Sequence, residues 1–200
     1  MRVSPIPVSF YHQSVHETAR GLLGARLVRL IDGVRVAGYI TEAEAYDGES
    51  DLACHARAGK TARTEVMYGP PGRAYVYFIY GIHWMLNCVA CPEGDPAAVL
   101  IRGMIPSEGL EVIAARRAGR RQADWTNGPA RLCLALDIDG RHNGVDLTNT
   151  SGGLWIEPGI PIPETAVITG PRIGIDNVPE PWRSKPWRYH VNGHSLEKPL

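Results

Sequence analysis

The chain has 200 residues, 44% of them hydrophobic, enough for one domain with a core of its own and with no apolar stretch long enough to span a bilayer. Its 21 basic and 21 acidic residues cancel, so bulk charge gives no support for nucleic-acid binding, and its four cysteines make no disulfide framework, which favours a reducing compartment. Met1 to Pro7 carries no long apolar run after its basic residue, so a single-domain, unexported, cytoplasmic protein covering residues 1–200 is expected.

Ser14-Val15-His16-Glu17 fits a capping box ahead of Ala19, Leu22 and Leu23, with Gly24 placed to end the helix. Ala25 to Ile31 and Val34 to Tyr46 then read as a hairpin, because Asp32-Gly33 between alternating apolar runs suits a type I′ turn. The second strand ends in Glu42-Ala43-Glu44-Ala45-Tyr46, where alternation puts both glutamates and the tyrosine on one face. Two acids and a phenol make a poor core surface. Asp47 to Gly72 has little periodicity and reads as a long ordered loop, of the kind that usually carries function. Arg73 to Tyr80 and Ile82 to Ala90 form a second hairpin reversing near Gly81; with a third strand, Ala97 to Arg102, it is expected at the sheet's centre. Ser107 is read as opening a helix through Leu110, Val112, Ile113 and Ala114, and Asn127-Gly128-Pro129 another through Leu132, Leu134 and Leu136. The remainder, rich in Gly and Pro, reads as short strands joined by stiff turns.

Several of these residues suit chemistry. A strand-borne carboxylate can activate water if it is ionised and aimed at the reacting carbon, and Glu44 is the best candidate. Its same-face neighbour Glu42 would orient it or pair with an arginine; an ordinary salt-bridged sheet edge explains both acids equally well. Arg102 ends an apolar strand and is costly to bury unpaired, so a carboxylate such as Glu44 is expected beside it, as a catalytic pair or a plain ion pair. His55 alone is weak evidence, and Tyr75 and Tyr77 are by default packing residues, whereas Tyr80 at a hairpin tip is badly placed for a core. Cys88-Val89-Ala90-Cys91 has metal-site spacing but no second pair, and reads as small apolar residues in a strand. No glycine-rich nucleotide loop and no serine elbow is present, which disfavours nucleotide cofactors and acyl-enzyme chemistry. Bases recur at Arg57, Lys60, Arg63 and Arg73, at Arg116, Arg117, Arg120 and Arg121, and at Arg183, Lys185 and Arg188; the 116–121 group is as well read as a solvated face as a binding stripe.

The order and spacing of Glu42 to Tyr46, Asp51 to His55, Met67 to Gly72, Tyr75 to His83, Asn87, Leu100 to Arg102, Gly128 to Cys133 and Arg172 to Gly174 cover nearly the whole chain. Taken together, these segments closely resemble the alkyladenine DNA glycosylase family, also called 3-methyladenine or methylpurine DNA glycosylases. The resemblance implies an α+β fold: a single mixed domain with a curved antiparallel β-sheet flanked by helices and a protruding β-hairpin that enters the DNA minor groove. It further implies Glu44 as general base with Arg102 positioning the water that attacks C1′, Tyr46 on one side of a flipped base with His55 and Tyr77 on the other, and Asn87 as a gate against the 2-amino group of guanine. Tyr80 would fill the gap left by the extruded nucleotide. Lys60, Arg63 and Arg73 are assigned to DNA phosphates. The implied partner is double-stranded DNA containing damaged purines, met by a monomer without metal or cofactor. Thr61-Ala62-Arg63 and Tyr68 depart from the Thr-Pro-Arg and phenylalanine of many relatives, and neither touches the implied chemistry.

Two rivals are weaker. An O-glycosidase would use Glu42 and Glu44, but retaining enzymes set their carboxyls about 5 to 5.5 Å apart across the scissile bond, and alternate positions on one strand project side by side. A non-catalytic module that merely stacks damaged bases would make Glu44 structural.

Overall fold

The computed structural model describes residues 4–192, so the first three residues of the amino-terminal stretch read above lie outside it. After a short helix α1 (Val8–Tyr11), Ser14 caps α2 (Val15–Gly21): its hydroxyl accepts the Glu17 N–H, while the Glu17 carboxylate accepts the Ser14 N–H. The helix ends three residues before Gly24, whose left-handed φ of 79° turns the chain into the sheet. A Cβ there would sit 2.1 Å from the Ile160 carbonyl oxygen, so only glycine fits.

Strands β1 (Arg26–Ile31) and β2 (Val34–Tyr46) are joined by Asp32 and Gly33, both with positive φ as a type I′ turn requires. The second hairpin is β3 (Ala74–Ile79) and β4 (His83–Ala90), followed by β5 (Ala97–Glu108). Helices α3 (Leu110–Arg116) and α4 (Pro129–Ala135) and the short strands β6 (Leu154–Glu157), β7 (Ile168–Gly170) and β8 (Arg188–His190) complete the fold. The strands form one antiparallel sheet in the order β3-β4-β5-β2-β1-β6, and β8 pairs with the second half of β2 and with β7.

Two expectations are corrected here. The β3–β4 hairpin lies at one edge of the sheet, and its centre is the β5–β2 pair, because the 13 residues of β2 are long enough to pair β5 along one side and β1 then β8 along the other. Ser107 does not open a helix: β5 continues to Glu108, the Ser107 hydroxyl donates to the Ala37 carbonyl, and α3 starts only after Gly109. Ladder pairing with β2 outweighs the local capping signal.

Alternation along the strands sorts the two faces of the sheet. Ala43 and Ala45 on β2, Val76 on β3, Leu86 and Cys88 on β4 and Val99 and Ile101 on β5 join α2 and α4 in the main core, with Ala19, Leu22, Leu132 and Leu136 buried among them. The intervening residues, Glu44 and Tyr46, Tyr75 and Tyr77, Asn87 and Val89, Ala98 and Arg102, belong to the opposite face. There the loop after β2 supplies a second, smaller core of Cys54, Ala56 and Met67 against Tyr75, Val89 and Ala98. Among the described residues no helix is long and apolar enough to cross a membrane.

Candidate active site

That second face holds a cavity of about 240 Å³ lined by aromatic rings. Tyr46 comes from β2, His55 and Met67 from the loop, Tyr75 and Tyr77 from β3, Met85 and Asn87 from β4, Leu100 and Arg102 from β5, and Ile173 from the segment after β7. Its rim reaches Tyr80, at the tip of the edge hairpin. Tyr80 is 78% exposed and has a φ of 55°, a strained conformation for a bulky residue that the neighbouring Gly81 shares at no cost.

Glu44 is fully buried next to this cavity. One carboxylate oxygen accepts the Ile173 N–H at 2.8 Å and lies 3.3 Å from Arg102 Nε; the other accepts the Tyr46 hydroxyl at 2.9 Å. Burial raises its pKa above the ordinary glutamate value, opposed by the Arg102 charge, the Ile173 N–H and the Tyr46 hydroxyl, and assisted by Glu42. Arg102 is shared: its Nε also donates to Glu42 at 3.0 Å, and Glu42 accepts a second arginine, Arg188, at 3.2 Å. Of the two roles open to Glu42, the geometry gives it the pairing with arginine.

Tyr46 is held from behind. The Arg172 guanidinium lies 4.7 Å from its ring centroid and 4.9 Å from that of Trp187, sandwiched between them. Arg172 and Asp51 form a bidentate pair with both side chains fully buried, and Arg172 also donates to the Ala45 carbonyl at 3.0 Å. Asp51 accepts the backbone N–H groups of Asp47 and Ala53 as well, so this one pair ties the start of the long loop and the segment after β7 to the end of β2. Sequence reasoning assigned no role to Asp51, Arg172 or the Ile173 N–H. They lay within segments that carried the resemblance, but residues 121 apart give no local sign of contact.

His55 sits edge-on to Tyr77 with ring centroids 4.5 Å apart, and its Nδ1 is 2.9 Å from the Tyr75 hydroxyl. Burial, then the charges of Arg63 and Arg57, push its pKa down to about 4, so the imidazole is neutral at ordinary pH. Burial also raises the phenol pKa values of Tyr46 and Tyr77, keeping both as neutral donors. The Asn87 side chain donates to the Tyr75 carbonyl at 3.0 Å and is buried at the cavity wall.

Glu44, Arg102, Tyr46, His55, Tyr77, Asn87 and Tyr80 are thus gathered at one place. The three assigned bases are scattered around it. Arg63 lies against the Tyr77 ring at 5.3 Å, Lys60 is exposed beside Glu65, and Arg73 is 3.5 Å from Asp146; none of the three lines the cavity. Cys88 is fully buried, with its thiol pKa pushed up to about 12, and belongs to the core. Among the described residues no three histidine, cysteine or acidic side chains converge in a way that could hold a metal ion. A buried carboxylate beside a ring-lined cavity can receive a flat heterocycle and direct a water at the atom attached to it.

Residues 9–195 match the family described as Methylpurine-DNA glycosylase (MPG). The chain is similar to proteins named "Putative 3-methyladenine DNA glycosylase" in three bacteria. It is 48% identical to that of Myxococcus xanthus (strain DK1622), covering 93% of this chain and 89% of the relative. The figures are 46%, 94% and 84% for Anaeromyxobacter dehalogenans (strain 2CP-C), and 44%, 96% and 95% for Bacillus subtilis (strain 168).

Proposed function

The chain belongs to the methylpurine-DNA glycosylase family, an enzyme of DNA repair, and from that premise we propose that it draws a damaged purine out of duplex DNA into the ring-lined cavity and hydrolyses its N-glycosidic bond. The observation that carries this reading is Glu44, fully buried with its carboxylate fixed by Arg102, Tyr46 and the Ile173 N–H. Glu44 takes a proton from the attacking water, the water oxygen bonds to C1′, and the electron pair of the breaking C1′–N bond leaves with the base. The product is an abasic site in an uncut strand. The Arg102 charge favours the ionised form of Glu44 and opposes the effect of its burial.

The cavity favours alkylated purines, 3-methyladenine and 7-methylguanine. Their ring carries a positive charge, which aromatic faces attract and a neutral His55 does not repel. Such a base leaves as a neutral molecule. Hypoxanthine and ethenoadenine leave only if protonated on departure, so their release is slower. Tyr46 stacks on one face of the base and His55 with Tyr77 on the other, Asn87 obstructs the 2-amino group of guanine, and Tyr80 fills the gap in the duplex. The enzyme acts as a monomer, in the cytoplasm.

The test is release of free base from duplex DNA methylated at purines, beside duplexes carrying one hypoxanthine or one ethenoadenine, in EDTA. Release that leaves strands cleaved only by alkali supports a monofunctional, metal-independent glycosylase. Lesion binding without release from any duplex would instead make the protein a binding module with a structural Glu44. Tyr80→Ala should weaken lesion binding while leaving the melting temperature in place; a marked loss of stability would mean that the ring packs rather than wedges.

A further inference from the structure

Beside the ring-lined cavity lies a second cleft, of about 620 Å³, lined by His83, Arg117, Arg120, Arg121, Asp124 and Arg131 together with Ala130 and Leu134 of α4. Four guanidinium groups face one carboxylate there. The segment after α3 brings them together: Arg117 donates to the Asp124 carbonyl at 3.3 Å, Arg121 to the Asp124 carboxylate at 2.9 Å, and Arg131 to Asn127 at 2.6 Å. Arg120 and Arg131 lie close enough to Arg117 to lower its pKa, although burial lowers it more. A single acid leaves this crowd of like charge under-compensated, which favours an anion in the cleft.

The position of the cleft says which anion. Along β4, His83, Met85 and Asn87 share a face, and the first lines the basic cleft while the other two line the cavity. Two residues of strand advance the chain about 7 Å, so the two sites adjoin. Helix α4 bridges them again, with Pro129 at the cavity and Arg131 at the cleft. We propose that the cleft holds phosphodiesters of the DNA backbone next to the nucleotide drawn into the cavity. Duplex DNA as the occupant rests on the glycosylase reading above; the affinity of the cleft for phosphate oxygens does not. The 116–121 arginine run, which the sequence left open between a solvated face and a stripe, then supplies Arg117, Arg120 and Arg121 to a phosphate track.

The experiment is equilibrium binding of undamaged duplex as a function of salt. Arg120→Gln/Arg131→Gln is compared with Arg20→Gln/Arg141→Gln, whose arginines pair with Glu164 and Asp139 and do not line the cleft. Each phosphate contact contributes about 0.9 to the slope of log affinity against log salt, so the cleft variant should flatten that slope by about two and weaken damaged and undamaged duplexes by the same factor. The control should keep the wild-type slope. Asp124→Asn, which removes the opposing charge, should shift affinity the other way, towards tighter binding. Inorganic phosphate, titrated against wild type and cleft variant, distinguishes a free anion: phosphate binding lost in the variant with an unchanged duplex slope would overturn the proposal in favour of a small-anion site. Equal slopes in the cleft variant and the control would overturn it in favour of a solvated face. Undamaged duplex needs no catalysis, so a chain that fails to release bases still reports its slope, and an unchanged slope with base release intact counts against the cleft alone.

Discussion

Two glutamates of this sheet are fully buried, and their surroundings differ. Glu157, on β6, accepts Arg35, lies 3.3 Å from Arg26 and accepts the Trp155 indole N–H at 3.2 Å, while Glu108 accepts the same two arginines. Two acids meet two bases, and every charge in the group has a partner of opposite sign. Glu44 has a single arginine, which it shares with Glu42, and makes up the difference with a phenol and a backbone N–H. Its pKa is raised by burial, whereas a well-partnered carboxylate such as Glu108 is held below its usual value by Arg26 and Arg35 despite its own desolvation. Burial of a carboxylate is therefore not what marks a site. What marks it is burial with too little positive charge, next to a cavity.

The comparison breaks most visibly under Glu44→Gln. General-base catalysis contributes roughly 10²- to 10⁴-fold, so base release should fall by that factor while lesion binding persists. Gln keeps the shape and can still accept from Arg102 and Ile173, with the Tyr46 hydroxyl reversing to accept from the amide. Unchanged release would remove Glu44 from the chemistry. Glu157→Ala should do the converse. Breaking a buried pair typically costs about 3–5 kcal/mol, and the low end is expected because Glu108 still serves both arginines. Denaturant unfolding would read that loss, and single-turnover release by the folded protein should keep its rate. A slower rate would mean that the charge group reaches the site through β2.

Next in size is Arg102→Gln. On the proposed mechanism Glu44 is a general base and must be ionised, so release should fall as pH drops through its pKa, with an acid limb shifted upward from the ordinary glutamate value. Arg102 is the strongest influence holding the pKa down, so its removal should move the limb to higher pH. A limb that stays in place while the rate falls would assign Arg102 to the water alone.

How much of this was readable beforehand depends on distance along the chain. The capping box at Ser14, the Asp32-Gly33 hairpin and the shared face of Glu42, Glu44 and Tyr46 are set by neighbours within a few residues, and the alternation that placed Glu44 opposite the core holds in the structure. The partners that make Glu44 distinctive come from far away: Ile173 is 129 residues on. So does the support of Tyr46, where Arg172 has to find Asp51 and Trp187 at once. The edge position of the β3–β4 hairpin was hidden for a similar reason. Composition marks β3, β4 and β5 as strands, but strand order follows from the length of β2 and its pairing on both sides, which no window of sequence contains. His55 offers no periodic cue: its closeness in sequence to the acidic strand and the aromatic hairpin drew attention to it, and its place beside a flipped base came from the resemblance.

The smallest effect bears on the cost of the arrangement. A carboxyl whose pKa is raised by folding holds its proton more tightly in the native state than in the unfolded chain. Its ionisation therefore destabilises the fold progressively as pH rises from the unfolded-state pKa through the raised native one. Glu44→Gln carries no such charge. The difference in melting temperature between Glu44→Gln and wild type should therefore grow in favour of the variant across that window and level off above it. Glu108 has the opposite sign, since its lowered pKa contributes stability above its unfolded value and loses it as pH falls through the native one, and Glu108→Gln should lose ground to wild type as pH rises. Because Glu108 is partly exposed, its effect is discounted by solvent screening and should be the weaker of the two. Melting curves of the three proteins over the acidic range would show two differences diverging with opposite slopes. Parallel curves would mean that Glu44 is as fully compensated by its neighbours as Glu108 is by Arg26 and Arg35, and that nothing in its surroundings holds it ready to take a proton.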